Sequence, residues 1–265
     1  MTCDTVVLGG LQPLTTIDYP GRLAAVLFAQ GCNFRCCYCH NPELLPFAPA
    51  SDRVGPTWAA ALALLARRRG LLDGVVFSGG EATCQPGILA AMRAVHDLGF
   101  AVALHTNGSR PDVIAEMVRE QLLDFVALDV KAPREMYLQI TGRDAGTQVW
   151  ETVDILAASG IDTEYRTTVH PEVLSDLSLL RMADALCARR VERFVVQQFR
   201  PGKTLDSTLA DPGSDWIDPA TVAGLASRFV RFEVRGEVPR VRVAGDHAVS
   251  RREARGGTVL TTRAA

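Results

Sequence analysis

The chain has 265 residues, which is enough for one large α/β domain with a sizeable hydrophobic core. Its formal net charge of −2 gives no electrostatic basis for binding nucleic acid, and none of its apolar runs approaches the length of a membrane span. We therefore expect neither nucleic acid nor a membrane among its partners.

The cysteine content indicates a reducing compartment. There are seven cysteines, and residues 1–14 lack the basic start, apolar centre and small-residue cleavage site of a secretory signal. We therefore predict a cytoplasmic protein whose thiols serve metal binding or catalysis. Four cysteines lack the spacing of a second metal site and are predicted to be buried or incidental thiols: Cys3, Cys37, Cys84 and Cys187.

Apolar strands and amphipathic helices alternate along most of the chain. Residues 1–21, rich in Gly and Pro, are predicted to be an irregular or short-strand lead-in. The predicted strands are 23–30, 74–77, 100–104, 125–128, 163–169, 193–198 and 230–234. The predicted helices are 56–69, 86–98, 111–121, 147–158, 175–189 and 219–227.

This alternation favours a parallel sheet with right-handed crossovers. Six core repeats are too few for a closed eight-fold barrel, so we predict a single α/β domain over residues 22–236, built as a partial (β/α)6 parallel barrel that is open on one side. Residues 237–265 are rich in Arg, Gly and small side chains and are predicted to form a mobile C-terminal tail.

Polar motifs follow almost every predicted strand. They are the cysteine loop 31–41, Ser78-Gly-Gly-Glu81, His105-Thr-Asn-Gly108, Asp129-Val-Lys131, His170 and Arg200. Because the C-terminal ends of parallel barrel strands carry the catalytic loops, we expect these motifs to surround one mouth of the barrel.

The cysteine loop carries Cys32, Cys36 and Cys39 in C-x3-C-x2-C spacing. Three thiolates on a short loop can hold three irons of a [4Fe–4S] cluster and leave the fourth iron open to a substrate. The same residues contain C-x-x-C-H, the pattern of covalent haem attachment, and His40 is a conceivable fourth zinc ligand. Haem would require export and leave Cys32 without a role, so the spacing favours the cluster, with zinc and haem as alternatives.

The other motifs have ordinary structural interpretations as well. Gly-Gly and Asn-Gly are common turn pairs, and Asp129 with Lys131 could be a surface ion pair. However, strand alternation aims Asp129 and Lys131 to the same side. Lys131 and Lys203 are also the only lysines in a chain that otherwise uses arginine for positive charge. This favours the interpretation that these positions require a compact ammonium group.

Over residues 8–236 the chain resembles the anaerobic ribonucleoside-triphosphate reductase activating proteins of the radical S-adenosylmethionine (SAM) superfamily. The resemblance rests on Thr16-Ile-Asp-Tyr-Pro-Gly21, the cysteine loop ending in Tyr-Cys-His-Asn-Pro42, Ser-Gly-Gly-Glu81 and Arg166-Thr-Thr-Val-His-Pro171. Two positions depart from related patterns: Ala82 follows the Gly-Gly-Glu motif in place of a frequent proline, and His105 stands where pyruvate formate-lyase activases often have Asp.

The resemblance implies a [4Fe–4S] cluster held by Cys32, Cys36 and Cys39, with SAM chelated at the open iron. It also implies a set of residues around the cofactors: Tyr38, His40, Gly79, Gly80, Glu81, Asn107, Asp129, Lys131, Arg166, His170 and Arg200. Glycines 79 and 80 would allow the backbone to approach SAM closely, and Lys131 would lie near its carboxylate or ribose.

The implied activity is that of an oxidoreductase. An electron from flavodoxin or ferredoxin would cleave SAM to a 5′-deoxyadenosyl radical, which would take hydrogen from a glycine of anaerobic (class III) ribonucleoside-triphosphate reductase. Two enzymatic alternatives are activation of another glycyl-radical enzyme, of the pyruvate formate-lyase type, and radical SAM chemistry on a small molecule such as a deazapurine precursor. A non-catalytic zinc or haem protein is the alternative from another class.

Overall fold

The computed structural model describes residues 6–48, 55–236, 249–254 and 257–262. Its main element is an eight-stranded sheet whose strands are neighbours in the order in which they occur along the chain. The strands are β1 (Leu8–Thr15), β2 (Ala24–Ala29), β3 (Gly74–Gly79), β4 (Ala101–Thr106), β5 (Phe125–Asp129), β6 (Asp162–Val169), β7 (Arg193–Gln198) and β8 (Arg231–Arg235). Strands β2 to β8 run parallel and β1 is antiparallel to β2.

Helices connect the parallel strands, which confirms the predicted partial barrel. They are α1 (Trp58–Arg67), α2 (Ile88–Asp97), α3 (Pro111–Arg119), α4 (Tyr137–Thr141), α5 (Gly146–Ser159), α6 (Asp176–Cys187) and α7 (Pro219–Ala226). Side chains cap the first turns of three of them, since Thr57, Ser175 and Asp218 accept hydrogen bonds from backbone N–H groups. Gly160, in the left-handed conformation at φ 75°, ends α5.

The structure differs from the sequence prediction in its smaller elements. The lead-in contains an eight-residue strand, β1, because its backbone pairs with the edge of β2. The short helix α4 was not predicted. In the predicted tail, β9 (Val249–Ala254) and β10 (Gly257–Thr262) pair antiparallel, and residues 237–248 lie outside the described part. Among the helices that the structure describes, none is long and apolar enough to cross a membrane.

The two faces of the sheet have different surroundings. The outer face packs against the helices in the large hydrophobic core, to which β3 to β5 contribute Val75, Phe77, Val102, Leu104 and Val126. The inner face carries a second, smaller cluster made of Tyr19, Ala24, Val26, Val76, Ala103, Phe125 and Ala127. Alternation along each strand separates these two sets, so that the barrel interior is lined by mostly small side chains.

Tyr19 fills the N-terminal end of the barrel interior. Its ring stacks on Phe125 with 5.5 Å between centroids, and only 4% of the residue is exposed. Gly74 leaves room for it, because a Cβ there would lie 2.9 Å from the Tyr19 ring. The motif at residues 16–21 therefore contains the side chain that closes this end of the barrel, and these residues form a plug segment.

Charged side chains occupy the other half of the interior. Glu164 on β6 is 2% exposed and is paired with Arg193 on β7 and with Arg235 on β8, whose Nη1 lies 2.8 Å from Glu164 Oε1. A buried carboxylate needs such partners. The apolar cluster of the interior thus lies mainly on β2 to β5, whereas Glu164, Arg193 and Arg235 form a charged cluster on β6 to β8.

Candidate active site

The cysteine loop, residues 31–41, begins where β2 ends and is held by backbone hydrogen bonds on two sides. Gly31 adopts a left-handed φ of 92°, and a Cβ there would lie 2.5 Å from the Phe47 ring. The Cys32 N–H donates to the Leu45 carbonyl at 3.0 Å. On the other side, the last turn of α4 accepts from the N–H groups of Arg35 and Cys37. These backbone hydrogen bonds hold the loop against the segments on both sides of it.

Cys32, Cys36 and Cys39 line one cavity of about 250 Å³ at the C-terminal ends of the strands. All three are free thiols. Burial and the nearby Glu81 charge raise the pKa of Cys32 to about 12, and burial raises the pKa of Cys36 to about 11. In the part of the chain with described coordinates, no three Cys, His, Asp or Glu side chains converge closely enough to share a single metal ion.

An ion network forms the opposite wall of this cavity. Asp129 lies between Lys131, whose Nζ is 3.4 Å from Asp129 Oδ2, and Arg166, whose Nε is 2.6 Å from Oδ1. Asp129 and Arg166 are direct neighbours in the register of β5 and β6. Although burial opposes ionisation of both groups, the two cations hold the pKa of Asp129 well below its usual range, and Asp129 raises the pKa of Lys131. The network therefore places two cations and one carboxylate on the cavity wall.

His105 faces the cavity beside this network. Its Nε2 donates to the Asp18 carbonyl at 2.8 Å, which joins β4 to the plug segment. Burial and the Arg166 charge lower the pKa of His105 from 6.5 to about 4. The imidazole is therefore neutral near pH 7 and keeps its proton on Nε2.

The lowered pKa of His105 predicts a pH dependence of stability. Between pH 6.5 and about pH 4 the unfolded chain binds a proton at this position and the folded chain does not. The free energy of unfolding should therefore fall as the pH is lowered from 6.5 to about 4. We expect His105→Gln to show a shallower fall, measured by chemical denaturation at several pH values. Identical slopes in the two proteins would contradict the environment described for His105.

Glu81 links the turn after β3 to the end of β4. Its buried carboxylate accepts hydrogen bonds from Thr83, from Thr106 Oγ1 at 2.7 Å and from the Asn107 N–H at 2.7 Å. Burial raises the pKa of Glu81, and these hydrogen bonds oppose that rise. Both carboxylate oxygens are therefore occupied by neighbouring loops.

The sequence comparisons identify this arrangement. The profile of the radical SAM superfamily matches residues 26–183, which is more than half of the chain and includes the cysteine loop and the ion network. The chain belongs to the radical SAM superfamily. Membership implies a [4Fe–4S] cluster and SAM as cofactors.

Two relatives agree with this radical SAM membership, and one solved structure shares the fold. A protein of Methanocaldococcus jannaschii named "Putative glycyl-radical enzyme activating enzyme MJ1227" is 30% identical over 206 residues, which cover 76% of this chain and 82% of the relative. The pyruvate formate-lyase-activating enzyme of Clostridium pasteurianum is 32% identical over 50% of this chain and 56% of its own.

The structure of TYW1 with a lysine–pyruvate adduct has a TM-score of 0.58 over 91% of this chain and 79% of that chain, at 14% identity, which shows the fold alone. The chain therefore spans just over half of the C. pasteurianum enzyme and most of the other two proteins.

The cavity residues fit the cofactors that radical SAM membership implies. Three thiols on one loop face open space, and a cluster with one thiolate on each of three irons does not require them to converge on a single point. Within the described ranges, the buried Tyr38 hydroxyl has no hydrogen-bond partner, and the Tyr38 ring lies 5.8 Å from Lys131 Nζ. A polar ligand near Tyr38 would satisfy this hydroxyl.

The radical SAM cavity brings together twelve of the fourteen residues predicted from the sequence. They are Cys32, Cys36, Tyr38, Cys39, His40, Gly79, Gly80, Glu81, Asn107, Asp129, Lys131 and Arg166. His170 and Arg200 are not among the lining residues. His170 is buried, packs edge-on against Phe199 and hydrogen-bonds the Ala210 carbonyl, while the Arg200 side chain is exposed and its carbonyl contacts His40. These contacts indicate that His170 and Arg200 help to hold the segment 199–210 in place.

Eight lining residues were not predicted as site residues: Phe34, Asn41, Leu45, Ser78, His105, Thr106, Thr168 and Gln197. Four of them, Ser78, His105, Thr168 and Gln197, share the inward strand face with a residue two positions earlier, so strand alternation could have placed them. The remaining cysteines lie elsewhere. Cys37, Cys84 and Cys187 are partly exposed and do not line the radical SAM cavity, and Cys3 lies outside the described residues.

Proposed function

We propose that this protein is a radical SAM activase that installs a glycyl radical on anaerobic ribonucleoside-triphosphate reductase. The observation that carries the proposal is the cavity in which the three-cysteine loop faces the Asp129, Lys131 and Arg166 network. The name of the M. jannaschii relative, of which this chain covers 82%, supports activation of a glycyl-radical enzyme. The motif at residues 16–21 supports the reductase as its target.

In this proposal Cys32, Cys36 and Cys39 would hold three irons of the cluster and leave the fourth iron open to SAM. When bound, the cluster supplies the electron that cleaves a carbon–sulfur bond of SAM and yields the 5′-deoxyadenosyl radical. Flavodoxin or ferredoxin in the cytoplasm is the proposed source of that electron.

The protein's own contribution is positioning. Lys131 and Arg166 would direct positive charge toward the carboxylate of SAM, and Asp129 pairs with both cations and holds them in place. The backbone at Gly79 and Gly80 stays close to the cysteine loop, because a Cβ on Gly80 would lie 2.2 Å from the Gly31 carbonyl oxygen.

The test begins with anaerobic reconstitution of the cluster, dithionite reduction and measurement of 5′-deoxyadenosine formed from SAM. We expect a reduced-cluster signal in electron paramagnetic resonance that SAM alters, together with this product. The loaded protein is then incubated with class III reductase or with pyruvate formate-lyase, and the glycyl-radical signal is recorded for each.

The outcomes separate the candidate targets. A radical on the reductase alone supports the proposal, whereas a radical on pyruvate formate-lyase alone reassigns the target. Cleavage of SAM with no radical on either protein would favour a small-molecule substrate. A colourless zinc protein that forms no 5′-deoxyadenosine would refute the radical SAM activity.

A further inference from the structure

The Asn107 side chain points its amide nitrogen at a cysteine of the loop. Nδ2 lies 3.8 Å from Cys32 Sγ and 3.1 Å from Asn33 Oδ1, while Oδ1 accepts a hydrogen bond from the Ser109 N–H at 2.9 Å. Because Oδ1 is fixed by a backbone donor, the orientation of the amide is determined, and the N–H groups must face the sulfur and Asn33.

Glu81 holds this amide in place. It accepts the Asn107 backbone N–H at 2.7 Å and the Thr106 hydroxyl at 2.7 Å, and the carboxylate is buried. A second donor reaches the same sulfur from the loop itself, since the Phe34 N–H lies 3.4 Å from Cys32 Sγ. Two N–H groups therefore donate to Cys32 Sγ. One of them, on the Asn107 side chain, follows β4 and is held in place by the buried Glu81 carboxylate.

Hydrogen bonds to cysteine sulfur are one of the ways in which a protein sets the reduction potential of an iron–sulfur cluster. Reduction adds negative charge that is partly carried by the sulfur ligands. A donor aimed at a ligand sulfur stabilises this reduced form more than the oxidised form, and the effect is stronger in a buried site. The polar groups of Asn107 are already engaged in this way, which leaves them poorly placed for direct contact with SAM.

We propose that Asn107 is a positioning residue that raises the reduction potential of the cluster through an N–H···S hydrogen bond to the Cys32 thiolate. This inference rests on the proposed function, because it requires Cys32 to be a cluster ligand. Its consequence is that the cluster accepts an electron from a weaker reductant than it otherwise would.

The test is a redox titration of the reconstituted protein, followed by electron paramagnetic resonance. Asn107→Leu removes the donor and keeps a similar volume. We expect the equilibrium constant for one-electron reduction to fall about tenfold, equivalent to a shift of about 59 mV to lower potential. Asn107→Asp keeps an acceptor for the Ser109 N–H and places a carboxylate beside the sulfur, so its midpoint should fall further.

Ser109→Ala is the matched control, because it removes a hydroxyl that contacts Asn33 and leaves the Asn107 amide on Cys32. Its midpoint should equal that of the unmodified protein. An unchanged midpoint in a loaded Asn107 variant overturns the inference. So does failure of both Asn107 variants to hold a cluster that Ser109→Ala holds, since Asn107 would then be only a structural support. Absence of a cluster from the unmodified protein would instead refute the proposed function.

Discussion

Replacing Cys36 by alanine is expected to abolish both cluster binding and SAM cleavage. Cys36 is buried in the middle of the cysteine loop and lines the cavity together with Cys32 and Cys39. Two remaining thiolates cannot hold three irons of the cluster, so the loss should be complete rather than partial. After anaerobic reconstitution, iron and sulfide content, the visible absorbance of the cluster and 5′-deoxyadenosine formation would all be measured.

Cys37→Ala is the matched control for this experiment. Cys37 is the next residue along the loop, is a free thiol and does not line the cavity, so its loss should leave the cluster and SAM cleavage in place. Thermal unfolding of the unloaded proteins would show that both variants retain the fold. Retention of a cluster or of SAM cleavage by Cys36→Ala would remove the central assignment of the site.

The second large effect is expected from Lys131→Ala. Its side chain is 14% exposed and lines the cavity, and the Asp129 charge raises the pKa of its ammonium group. Loss of one charged hydrogen-bond partner for SAM should weaken binding by about 10- to 100-fold. The cysteine loop is untouched, so the cluster spectrum should remain. SAM affinity would be measured by equilibrium binding to the reconstituted protein.

Lys203 supplies the matched control, because it is the only other lysine in the chain. It is exposed and pairs with Glu43 at 3.0 Å, a surface contact that contributes little to stability. Lys203→Ala should therefore bind SAM as the unmodified protein does. Equal SAM affinity in Lys131→Ala and Lys203→Ala would show that Lys131 does not contact the cofactor.

The barrel was predictable because its signals are local. Apolar runs mark the strands, Gly and Pro mark their ends, and alternation with helices requires parallel pairing. The lead-in was less predictable, since β1 contains two glycines and a proline and forms a strand only through its pairing with β2. Tyr19 gave no local sign that it plugs the barrel, because its contacts with Phe125 and Gly74 join distant parts of the chain.

The candidate site likewise combines features that local sequence predicts with features that depend on contacts between distant residues. Period-two alternation placed Asp129, at the end of β5, and Lys131 on one side of the chain, but the pairing of Asp129 with Arg166 depends on the register between β5 and β6. The contact between His105 and the Asp18 carbonyl spans 87 residues and could not be inferred from either motif. Spacing alone cannot supply such distances, because they are set by packing of the whole barrel.

Glu81 and Asn107 illustrate a different limit of sequence reasoning. The family resemblance assigns each motif separately to the surroundings of the cofactors. In the structure Glu81 accepts the Asn107 N–H, and the Asn107 amide faces the Cys32 sulfur. The two motifs thus act on each other and on the cysteine loop, a relation that appears only when the ends of β3 and β4 are placed side by side.

The plug at Tyr19 has a consequence for access to the cavity. In the described part of the chain, the Tyr19 ring and its neighbours close the N-terminal end of the barrel interior. Small molecules therefore reach the cavity from the end that carries the cysteine loop and the other loops that follow the strands.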